Sequence, residues 1–266
     1  MAASIHSTAI VHPNARIGDN VSIGPFSIIE DDVTLGDGCE IGPHAVICSG
    51  SRLGNHCKVF KGASVGTEPQ DLKFGGEKTT LTIGDHTTIR EFCTLNRGTH
   101  ATGETVIGNH CLFMAYCHVA HDCRIGDYFI AANLVNLAGH VSIGNYVNAG
   151  GMTAFVQFRN IGDYSFIGAR SLIVKDILPF AKVASAPMRI LGINQVGLER
   201  RGFDEVRRRD IKRAYKTLFR SGLICQDALV RLAEEHPGNP DVESIIAFAK
   251  KSSYGLLRMG EVESGE

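Results

Sequence analysis

An apolar residue stands at every sixth position through most of this chain. The series begins at Ile5 and runs through Val11 and Ile17 to Ile173. Of its 29 positions 27 are apolar, whereas a hydrophobic content of 44% would give about 13. A period of six predicts a parallel β-helix, in which each hexad forms a short strand and a corner, and three hexads form a triangular coil of about 18 residues. The 29 hexads therefore predict about ten coils.

Small residues mark two further positions of the hexad. Glycine often follows the apolar residue, as at Gly36, Gly54 and Gly126, which predicts corners whose backbone torsions exclude side chains. Six of the eight cysteines stand four places after the apolar residue, and no CxxC pair occurs. We therefore interpret them as small core residues rather than as metal ligands or redox groups.

Two polar segments interrupt the apolar series without changing its phase. Residues 67–78 contain proline and a glycine pair, and residues 96–104 are similarly polar and glycine-rich. We expect both to project from the coil as loops. Loops on a rigid scaffold are where binding residues concentrate.

The repeat stops after Ile173, which divides the chain into two predicted domains. Residues 1–178 form the β-helix, and residues 179–266 form a linker, marked by Pro179 and Pro187, followed by an α-helical domain. The apolar spacing predicts helices over 204–220, 226–235 and 241–251, with Gly222 ending the first. The fold class is thus mainly β with a C-terminal helical domain.

Charge and hydropathy exclude several classes of partner. The net charge is −1, so nucleic acid binding is not expected, and no segment reaches the roughly 20 apolar residues that span a bilayer. No export signal is apparent at the N-terminus, so we expect a cytoplasmic protein. Residues 200–220 carry nine basic and three acidic residues. This segment fits either an acidic partner or a solvated helix face.

The segment HVAHDC, residues 118–123, carries the residues best suited to catalysis. One coil after Asp122 comes His140, and one coil after His121 comes Gly139, so the next coil stacks an imidazole beside the carboxylate. His121 is expected to face open space and act as a general base, with Asp122 orienting it and the Gly139 amide steadying an oxyanion. Two alternatives remain: an unused surface histidine cluster, and a zinc site formed by His118, His121 and His140.

The chain resembles the UDP-N-acetylglucosamine O-acyltransferases over essentially its whole length. The motifs that carry the resemblance are PQDLKF (69–74), NRGT (96–99), HVAHDC, LAGH (137–140), GGMTA (150–154), Gln157-Phe158 and GLERRGF (197–203). The resemblance implies a left-handed β-helix and a homotrimer with sites between neighbouring solenoids. It also implies transfer of a 3-hydroxyacyl group from phosphopantetheine-bearing acyl carrier protein to the 3-hydroxyl of UDP-N-acetylglucosamine, the first step of lipid A biosynthesis.

The resemblance also implies roles for individual residues and predicts no metal and no further cofactor. His121 is the base, Asp122 its partner and the Gly139 amide the oxyanion donor. The remaining residues contact substrate: Asp71, Lys73, His118, His140 and Gln157 match positions around the nucleotide sugar, and Asn194, Arg200 and Arg201 match positions that hold uridine and phosphates. Ala169 matches the position that limits acyl length, and its small side chain predicts a long chain. Two positions depart from the family pattern, namely Val156, where many members have histidine, and Val196, where glutamate is common.

Four other functions compete with this one. The same base could acylate the 3-amino group of UDP-GlcNAc3N, and no sequence feature separates this amide product from the ester. The later N-acyltransferase of lipid A assembly is disfavoured because it carries an extra N-terminal domain, whereas repeats here begin at Ile5. A structural or ice-binding solenoid would present flat rows of threonine or serine, and a carbonic anhydrase-like enzyme would require zinc.

Overall fold

Short strands occupy the hexads and stack in register into three sheets. The computed structural model describes residues 2–184 and 187–260. The first half of the strands are β1 (Ser4–Ile5), β2 (Ile10–Val11), β3 (Arg16–Ile17), β4 (Ser22–Ile23), β5 (Ile28–Ile29), β6 (Thr34–Leu35), β7 (Glu40–Ile41), β8 (Val46–Ile47), β9 (Ser51–Leu53), β10 (Lys58–Val59), β11 (Ser64–Thr67), β12 (Thr80–Ile83), β13 (Thr88–Ile89) and β14 (Thr94–Asn96). The second half are β15 (Glu104–Ile107), β16 (Leu112–Phe113), β17 (His118–Val119), β18 (Arg124–Ile125), β19 (Ile130–Ala131), β20 (Asn136–Leu137), β21 (Ser142–Ile143), β22 (Asn148–Ala149), β23 (Ala154–Phe155), β24 (Asn160–Ile161), β25 (Phe166–Ile167), β26 (Leu172–Ile173), β27 (Ala181–Ala184) and β28 (Arg189–Ile193).

Every third strand belongs to the same sheet, so the chain visits three faces in turn. Face 1 begins with β1, β4 and β7, face 2 with β2, β5 and β8, and face 3 with β3, β6 and β9. Strands β1–β26 pair in parallel, as where Thr34 stands opposite Arg52, one coil later. This confirms the predicted parallel β-helix.

The two loops are insertions of whole hexads. In a regular coil, paired residues are 18 apart. Ser64 pairs with Thr94, which adds two hexads to this separation, and Thr94 pairs with His118, which adds one hexad. We call residues 68–79 loop 1 and residues 97–103 loop 2. Because the insertions are whole hexads, the phase survives, as predicted. Only 26 of the hexads form strands β1–β26, so the prediction of ten coils is wrong and nearly nine are present.

The corners use a different position for the unusual backbone torsion than the one predicted. A positive φ occurs three places after the apolar residue, as at Tyr128 (58°) and His140 (62°), whereas Gly36 and Gly126 have none. Those glycines are required by the next coil, because a Cβ on Gly36 would come within 2.6 Å of the carbonyl carbon of Gly54. Close stacking of coils, not torsion, selects these glycines.

Side chains stack along the corner between faces 3 and 1. The rings of Tyr128 and Tyr146 lie 4.5 Å apart, in a column that also contains His56, His86, His110, Tyr164 and Phe180. Such stacking contributes about 0.5–1.5 kcal/mol per pair, comparable with the roughly 1–2 kcal/mol that a left-handed residue costs. Beside this column, each aspartate or asparagine accepts the amide of the preceding coil, as Asn109 Oδ1 does from Asp85 at 2.8 Å.

The inward side chains form one continuous core. From Ile23 onward the apolar residues at the sixth positions are buried, except Ala101 on loop 2, whereas Ile5, Val11 and Ile17 in the first coil are exposed or half-buried. The six cysteines of the second small position are also buried: Cys39, Cys57, Cys93, Cys111, Cys117 and Cys123. The prediction that these cysteines are small core residues is confirmed.

The C-terminal region extends face 1 before it becomes helical. Where the sequence predicted only a linker, β27 pairs in parallel with β25, and β28 pairs antiparallel with β27. The helices are α1 (Gln195–Arg200), α2 (Glu205–Arg220), α3 (Cys225–Glu235) and α4 (Pro240–Lys251). The last three confirm the predicted ones, and Gly222 follows α2 with φ 77°. No helix among the described residues combines the length and apolarity that a bilayer crossing needs.

The last described residues return to the end of the β-helix. Leu256 bridges to Asp176, and the ring of Tyr254 stacks on Phe158 with centroids 6.1 Å apart. The guanidinium of Arg159 lies 4.2 Å from the Tyr254 ring centroid. The tail therefore covers the corner between faces 2 and 3 at its C-terminal end.

Candidate active site

The corner between faces 2 and 3 collects most of the residues that the sequence singled out. His121 and Asp122 lie there, between β17 and β18, and Gly139 and His140 occupy the same places one coil later. Loops 1 and 2 leave the β-helix at this same corner in the two preceding coils. The His140 amide donates to the His121 carbonyl at 3.0 Å, which confirms the predicted stacking of these two coils.

Asp122 and His121 form a hydrogen-bonded dyad. His121 Nδ1 lies 2.7 Å from Asp122 Oδ2. Because an ionised carboxylate only accepts hydrogen bonds, the neutral imidazole of His121 carries its proton on Nδ1 and has its lone pair on Nε2. This is the tautomer that a general base requires.

Further donors hold the carboxylate of Asp122. Thr99 donates its amide to Oδ1 at 3.0 Å and its hydroxyl to Oδ2 at 2.7 Å, and the Thr102 hydroxyl donates to Oδ1. Burial alone would raise the pKa of Asp122, but the hydrogen bonds from Thr102, His121 and Thr99 outweigh it and lower the pKa. The carboxylate is therefore ionised at neutral pH.

The dyad is buried, contrary to the expectation that His121 faces open space. His121 is only 6% exposed and Asp122 only 3%. The reason is loop 2, which folds back over the corner and brings Thr99 and Thr102 onto Asp122. The hexad position alone would have placed both side chains on the outer surface.

Gly139 supplies space and an open amide. A Cβ at this position would come within 2.6 Å of His121 Cε1 and 2.8 Å of Nε2. At the corner between faces 3 and 1 the equivalent amides are taken, as Asn109 donates to Asp127 at 2.7 Å. Among the described residues no acceptor takes the Gly139 amide. It can donate to an oxygen close to His121 Nε2.

Two more histidines adjoin the dyad, and both favour the neutral form. Burial lowers the pKa of His118, and burial also lowers the pKa of His140 despite the nearby Asp122 carboxylate. His118 Nδ1 lies 2.7 Å from Thr94 Oγ1, and His140 Nε2 lies 3.6 Å from Asp122 Oδ2. A ring nitrogen of a neutral imidazole that the protein does not occupy can offer a polar substrate a donor or an acceptor.

The geometry argues against the alternative zinc site. The donor atoms that lie within 4.8 Å of one another belong to His121, Asp122 and His140, not to His118. Both oxygens of Asp122 already accept two hydrogen bonds each. The carboxylate therefore has no lone pair left for a metal ion.

Three of the remaining predicted residues lie beside this corner. Asp71 is half-buried on loop 1, its carboxylate acts electrostatically on His140, and its Oδ1 accepts the amide of Lys73 at 3.0 Å. Lys73 is exposed on the same loop. Gln157 is exposed and lies one coil after Gly139. The next residue, Phe158, donates its amide to the Gly139 carbonyl at 3.2 Å.

The other predicted residues lie elsewhere on the chain. Asn194 caps α1 and donates to the Tyr164 carbonyl at 2.9 Å, and Arg201 lies 4.2 Å from the ring centroid of Tyr146, at the corner between faces 3 and 1. Arg200 lines a cleft of about 890 Å³ between face 1 and α2, which does not contain the dyad. Ala169 is exposed at the corner between faces 1 and 2.

Sequence reasoning gave no role to three residues that contact Asp122 or the neighbouring His140. Thr99 and Thr102 bind Asp122 from loop 2, and Phe158 stacks on His140 with centroids 4.5 Å apart. Phe158 stands one coil after His140, so coil arithmetic could have found it. No spacing rule leads from Asp122 to Thr99, because Thr99 lies on loop 2, outside the regular coils.

Known proteins show the same fold over nearly the whole length. The family model described as UDP-N-acetylglucosamine O-acyltransferase, domain 2, matches residues 176–257, and bacterial transferase hexapeptide repeats match 14–49 and 104–128. The acyl-[acyl-carrier-protein]–UDP-N-acetylglucosamine O-acyltransferase of Myxococcus xanthus is 45% identical over 96% of this chain and 100% of its own length. That of Halorhodospira halophila is 46% identical over 96% and 99%.

Solved structures of such acyltransferases have the same fold as this chain. UDP-N-acetylglucosamine O-acyltransferase of Moraxella catarrhalis superposes with a TM-score of 0.93 at 40% identity, covering 96% of this chain and 99% of that one. The homologue from Acinetobacter baumannii gives 0.93 at 41% identity, with the same coverage. The β-helix is thus left-handed, as the resemblance implied. Likeness in sequence and fold extends through both the β-helix and the helical region, and the chain belongs to the UDP-N-acetylglucosamine O-acyltransferase family.

Proposed function

We propose that this chain transfers a 3-hydroxyacyl group from acyl carrier protein to the 3-hydroxyl of the sugar in UDP-N-acetylglucosamine, the first step of lipid A biosynthesis. The observation that carries the proposal is the His121–Asp122 dyad, whose Nδ1–Oδ2 distance is 2.7 Å, beside the open amide of Gly139. The named activity of the full-length relatives supports the same reaction.

In the first step, His121 Nε2 takes the proton of the sugar 3-hydroxyl as its oxygen attacks the thioester carbonyl. A C–O bond forms, the carbonyl oxygen gains the electron pair, and the Gly139 amide donates to that oxygen. Asp122 stabilises the imidazolium through Nδ1. When the tetrahedral intermediate collapses, the C–S bond breaks, and the proton on Nε2 passes to the departing phosphopantetheine thiolate.

Binding of the nucleotide sugar is assigned to residues around the dyad. We assign Asp71, Lys73, His118, His140 and Gln157 to the sugar and its diphosphate. Burial of His118 and His140 favours their neutral forms, which suits hydrogen bonding to hydroxyl groups. The reaction proposed needs no metal ion and no cofactor besides the carrier's phosphopantetheine.

A second copy of the chain is needed to complete this site. Asn194, Arg200 and Arg201 are suited to uridine and phosphates, but in one chain they lie at face 1 and its edge, away from the dyad. We propose a homotrimer in which these residues of one subunit serve the dyad of its neighbour. Co-expressing His121→Ala with Arg201→Ala would then restore about a quarter of wild-type activity, because one interface in four pairs two intact halves. If activity is not restored, the dyad and the residues that serve it belong to the same chain.

The acyl donor is assigned to the basic C-terminal region. Residues 200–220 carry six net positive charges, and the cleft beside them is lined by Lys212, Arg213 and Lys216. A basic surface attracts an acidic carrier protein and accelerates encounter. Ala169 is assigned to the end of the acyl groove, where its small side chain would admit a long chain. A cytoplasmic location fits a carrier-protein substrate.

Acyl transfer to UDP-N-acetylglucosamine, measured with carrier proteins of different 3-hydroxyacyl lengths, tests the function. Wild-type protein should form the ester, His121→Ala should lose activity by at least about a hundredfold, and exposed His12→Ala is the matched control. Far-UV circular dichroism should be unchanged in both variants. Activity only with UDP-GlcNAc3N would replace ester by amide formation, and inactivity with both acceptors would overturn the proposal.

A further inference from the structure

Asp122 is held by more donors than a simple dyad needs. Its Oδ1 accepts from the Thr99 amide at 3.0 Å and from the Thr102 hydroxyl, and its Oδ2 accepts from the Thr99 hydroxyl and from His121 Nδ1, both at 2.7 Å. Each oxygen therefore has two partners. The amide of Asp122 itself donates to the buried Thr105 hydroxyl at 2.8 Å.

The donors besides His121 come from loop 2, which the regular β-helix lacks. The chain turns back tightly, since Gly103 donates to the Thr99 carbonyl at 2.7 Å and a Cβ on Gly98 would come within 2.3 Å of the Glu104 nitrogen. This return places both threonine hydroxyls on one carboxylate. A hydroxyl has a single proton, and an ionised carboxylate is a stronger acceptor than the Glu104 carbonyl that also lies near Thr102.

Loop 2 is itself anchored, so the hydroxyls are in place before substrate binds. Asn96 donates to Thr67 Oγ1 at 2.7 Å, where loop 1 begins. At the tip, the His100 amide donates to Glu77 Oε1 of loop 1 at 3.0 Å. Donors fixed by the fold stabilise charge without reorganising during the reaction.

We propose that Thr99 and Thr102 are positioning residues, which fix the orientation and the charge distribution of Asp122 and so set the pH range in which His121 acts as the base. This inference rests on the proposed function. Neither threonine touches a reacting atom, because both act through Asp122. Their hydroxyls share the negative charge that would otherwise be concentrated on the contact with His121.

Other titratable groups face the dyad and must be considered with it. His140 Nε2 lies 3.6 Å from Asp122 Oδ2, His118 and His121 influence each other electrostatically, and Asp71 acts on His140 from loop 1. Cys123 is fully buried, and its pKa is raised to about 12, mainly by burial. None of these groups replaces the two hydroxyl donors, so the threonines can be tested separately.

Thr99→Val and Thr102→Val remove the hydroxyls and keep the shape of the side chains. Without a hydroxyl, more of the carboxylate charge falls on the His121 contact, which favours the imidazolium. The acid limb of the kcat/KM profile should move to higher pH, by up to about one unit, equivalent to a tenfold rate loss below the limb. KM for the nucleotide sugar should stay near the wild-type value. Thr99→Ser keeps the hydroxyl and should restore the wild-type profile.

Thr87→Val is the matched structural control. Thr87 is buried, as Thr99 is, and its hydroxyl donates to the Gly108 carbonyl at 3.0 Å, far from the dyad at the corner between faces 3 and 1. This variant should lose some thermal stability without moving the acid limb. If the threonine variants behave like it, with losses that follow stability and not pH, the positioning role is wrong.

A titration of the ring nitrogens by NMR separates this inference from the proposed function. Protein labelled with ¹⁵N in histidine, without substrate, reports the protonation of His121 directly, with His121→Gln to assign its signals. Thr99→Val should move that titration to higher pH, whatever reaction is catalysed. If the wild-type protein is inactive but Thr99→Val still shifts the His121 titration, only the proposed function is wrong. Unchanged titrations in an active protein would overturn the role of the threonines.

Discussion

The imidazole of His121 occupies the space in which a side chain of residue 139 would lie. A Cβ built on Gly139 would come within 2.6 Å of His121 Cε1, closer than such atoms approach in proteins. Residue 139 must therefore be glycine for a steric reason as well as for its open amide. The two residues stand one coil apart in the sequence.

Gly139→Ala should displace the imidazole while leaving the β-helix intact, because the atoms that the new Cβ would meet belong to the His121 side chain and not to the backbone. A displacement of about 1 Å costs about a hundredfold in rate. Steady-state kinetics and thermal unfolding would measure the two effects. Gly151→Ala is the control, since its Cβ would meet only the Asn133 carbonyl oxygen at 3.2 Å. Full activity in Gly139→Ala would contradict the contact.

Acidic and amide side chains alternate along the corner between faces 3 and 1. Asn109 accepts the Asp85 amide at 2.8 Å and donates its Nδ2 to Asp127 Oδ1 at 3.0 Å. Asn109→Asp would replace that donor by a third carboxylate in three consecutive coils. We expect a loss of about 1–3 kcal/mol in the free energy of unfolding at neutral pH.

The sign of the pH effect distinguishes repulsion from a packing defect. The flanking carboxylates raise the pKa of the introduced acid, so the loss should be present above that pKa and disappear as the acid is protonated. Urea unfolding at neutral and mildly acidic pH measures this. Asn133→Asp, at the same hexad position of the exposed corner between faces 1 and 2, should show little change. A pH-independent loss at residue 109 would refute the repulsion.

The period of six was sufficient to predict the β-helix and the stacking of His140 beside Asp122, because both depend only on spacing. The period also identified glycines such as Gly36, but it did not show why they are glycine. The reason is steric, because the backbone of Gly54 in the next coil leaves no room for a Cβ. A one-dimensional pattern shows which position is small and not which atoms exclude a side chain. Torsion and contact can be separated only once the coils are stacked.

The burial of His121 and Asp122 could not be predicted from the six-residue spacing either. Thr99 and Asp122 are 23 residues apart, a separation created by the extra hexad in loop 2. The contact of Arg201 with Tyr146 depends on how the helical domain packs against face 1, for which no periodicity exists. Long-range contacts set by insertions and by domain packing escape arguments from spacing.

Asp176 fastens the C-terminal tail to the end of the β-helix. It is fully buried, and its carboxylate accepts the Asn160 amide at 2.9 Å and the Ser252 hydroxyl at 2.7 Å. Asp176→Ala leaves both donors without an acceptor and should lower the free energy of unfolding by about 2–4 kcal/mol. Chemical denaturation would measure the loss, and limited proteolysis should cut the tail first.

Exposed Glu234→Ala serves as the control for this loss and should change neither stability nor cleavage. Tyr254→Ala removes the contacts with Phe158 and Arg159 without creating unpaired polar groups. It should therefore loosen the tail at a smaller cost in stability. An Asp176→Ala protein as stable as wild type would show that water replaces the carboxylate.

Stability should decrease as the pH falls below neutrality, because burial lowers the pKa values of His118 and His140. Below the ordinary pKa of 6.5, the unfolded chain binds protons that the folded chain refuses. The free energy of unfolding then declines with falling pH, by at most about 1.4 kcal/mol per unit for each histidine, until the lowered pKa is reached. Asp122 does not contribute to this decline, because its pKa is lowered and its carboxylate is protonated only at more acidic pH.

Urea unfolding from about pH 7.5 to pH 5 measures the decline. The free energy of unfolding should fall less steeply with pH in His118→Gln and His140→Asn than in the wild type. Exposed His12→Gln should keep the wild-type slope, and equal slopes in all four proteins would mean that these two histidines are protonated as readily in the folded chain as in the unfolded one.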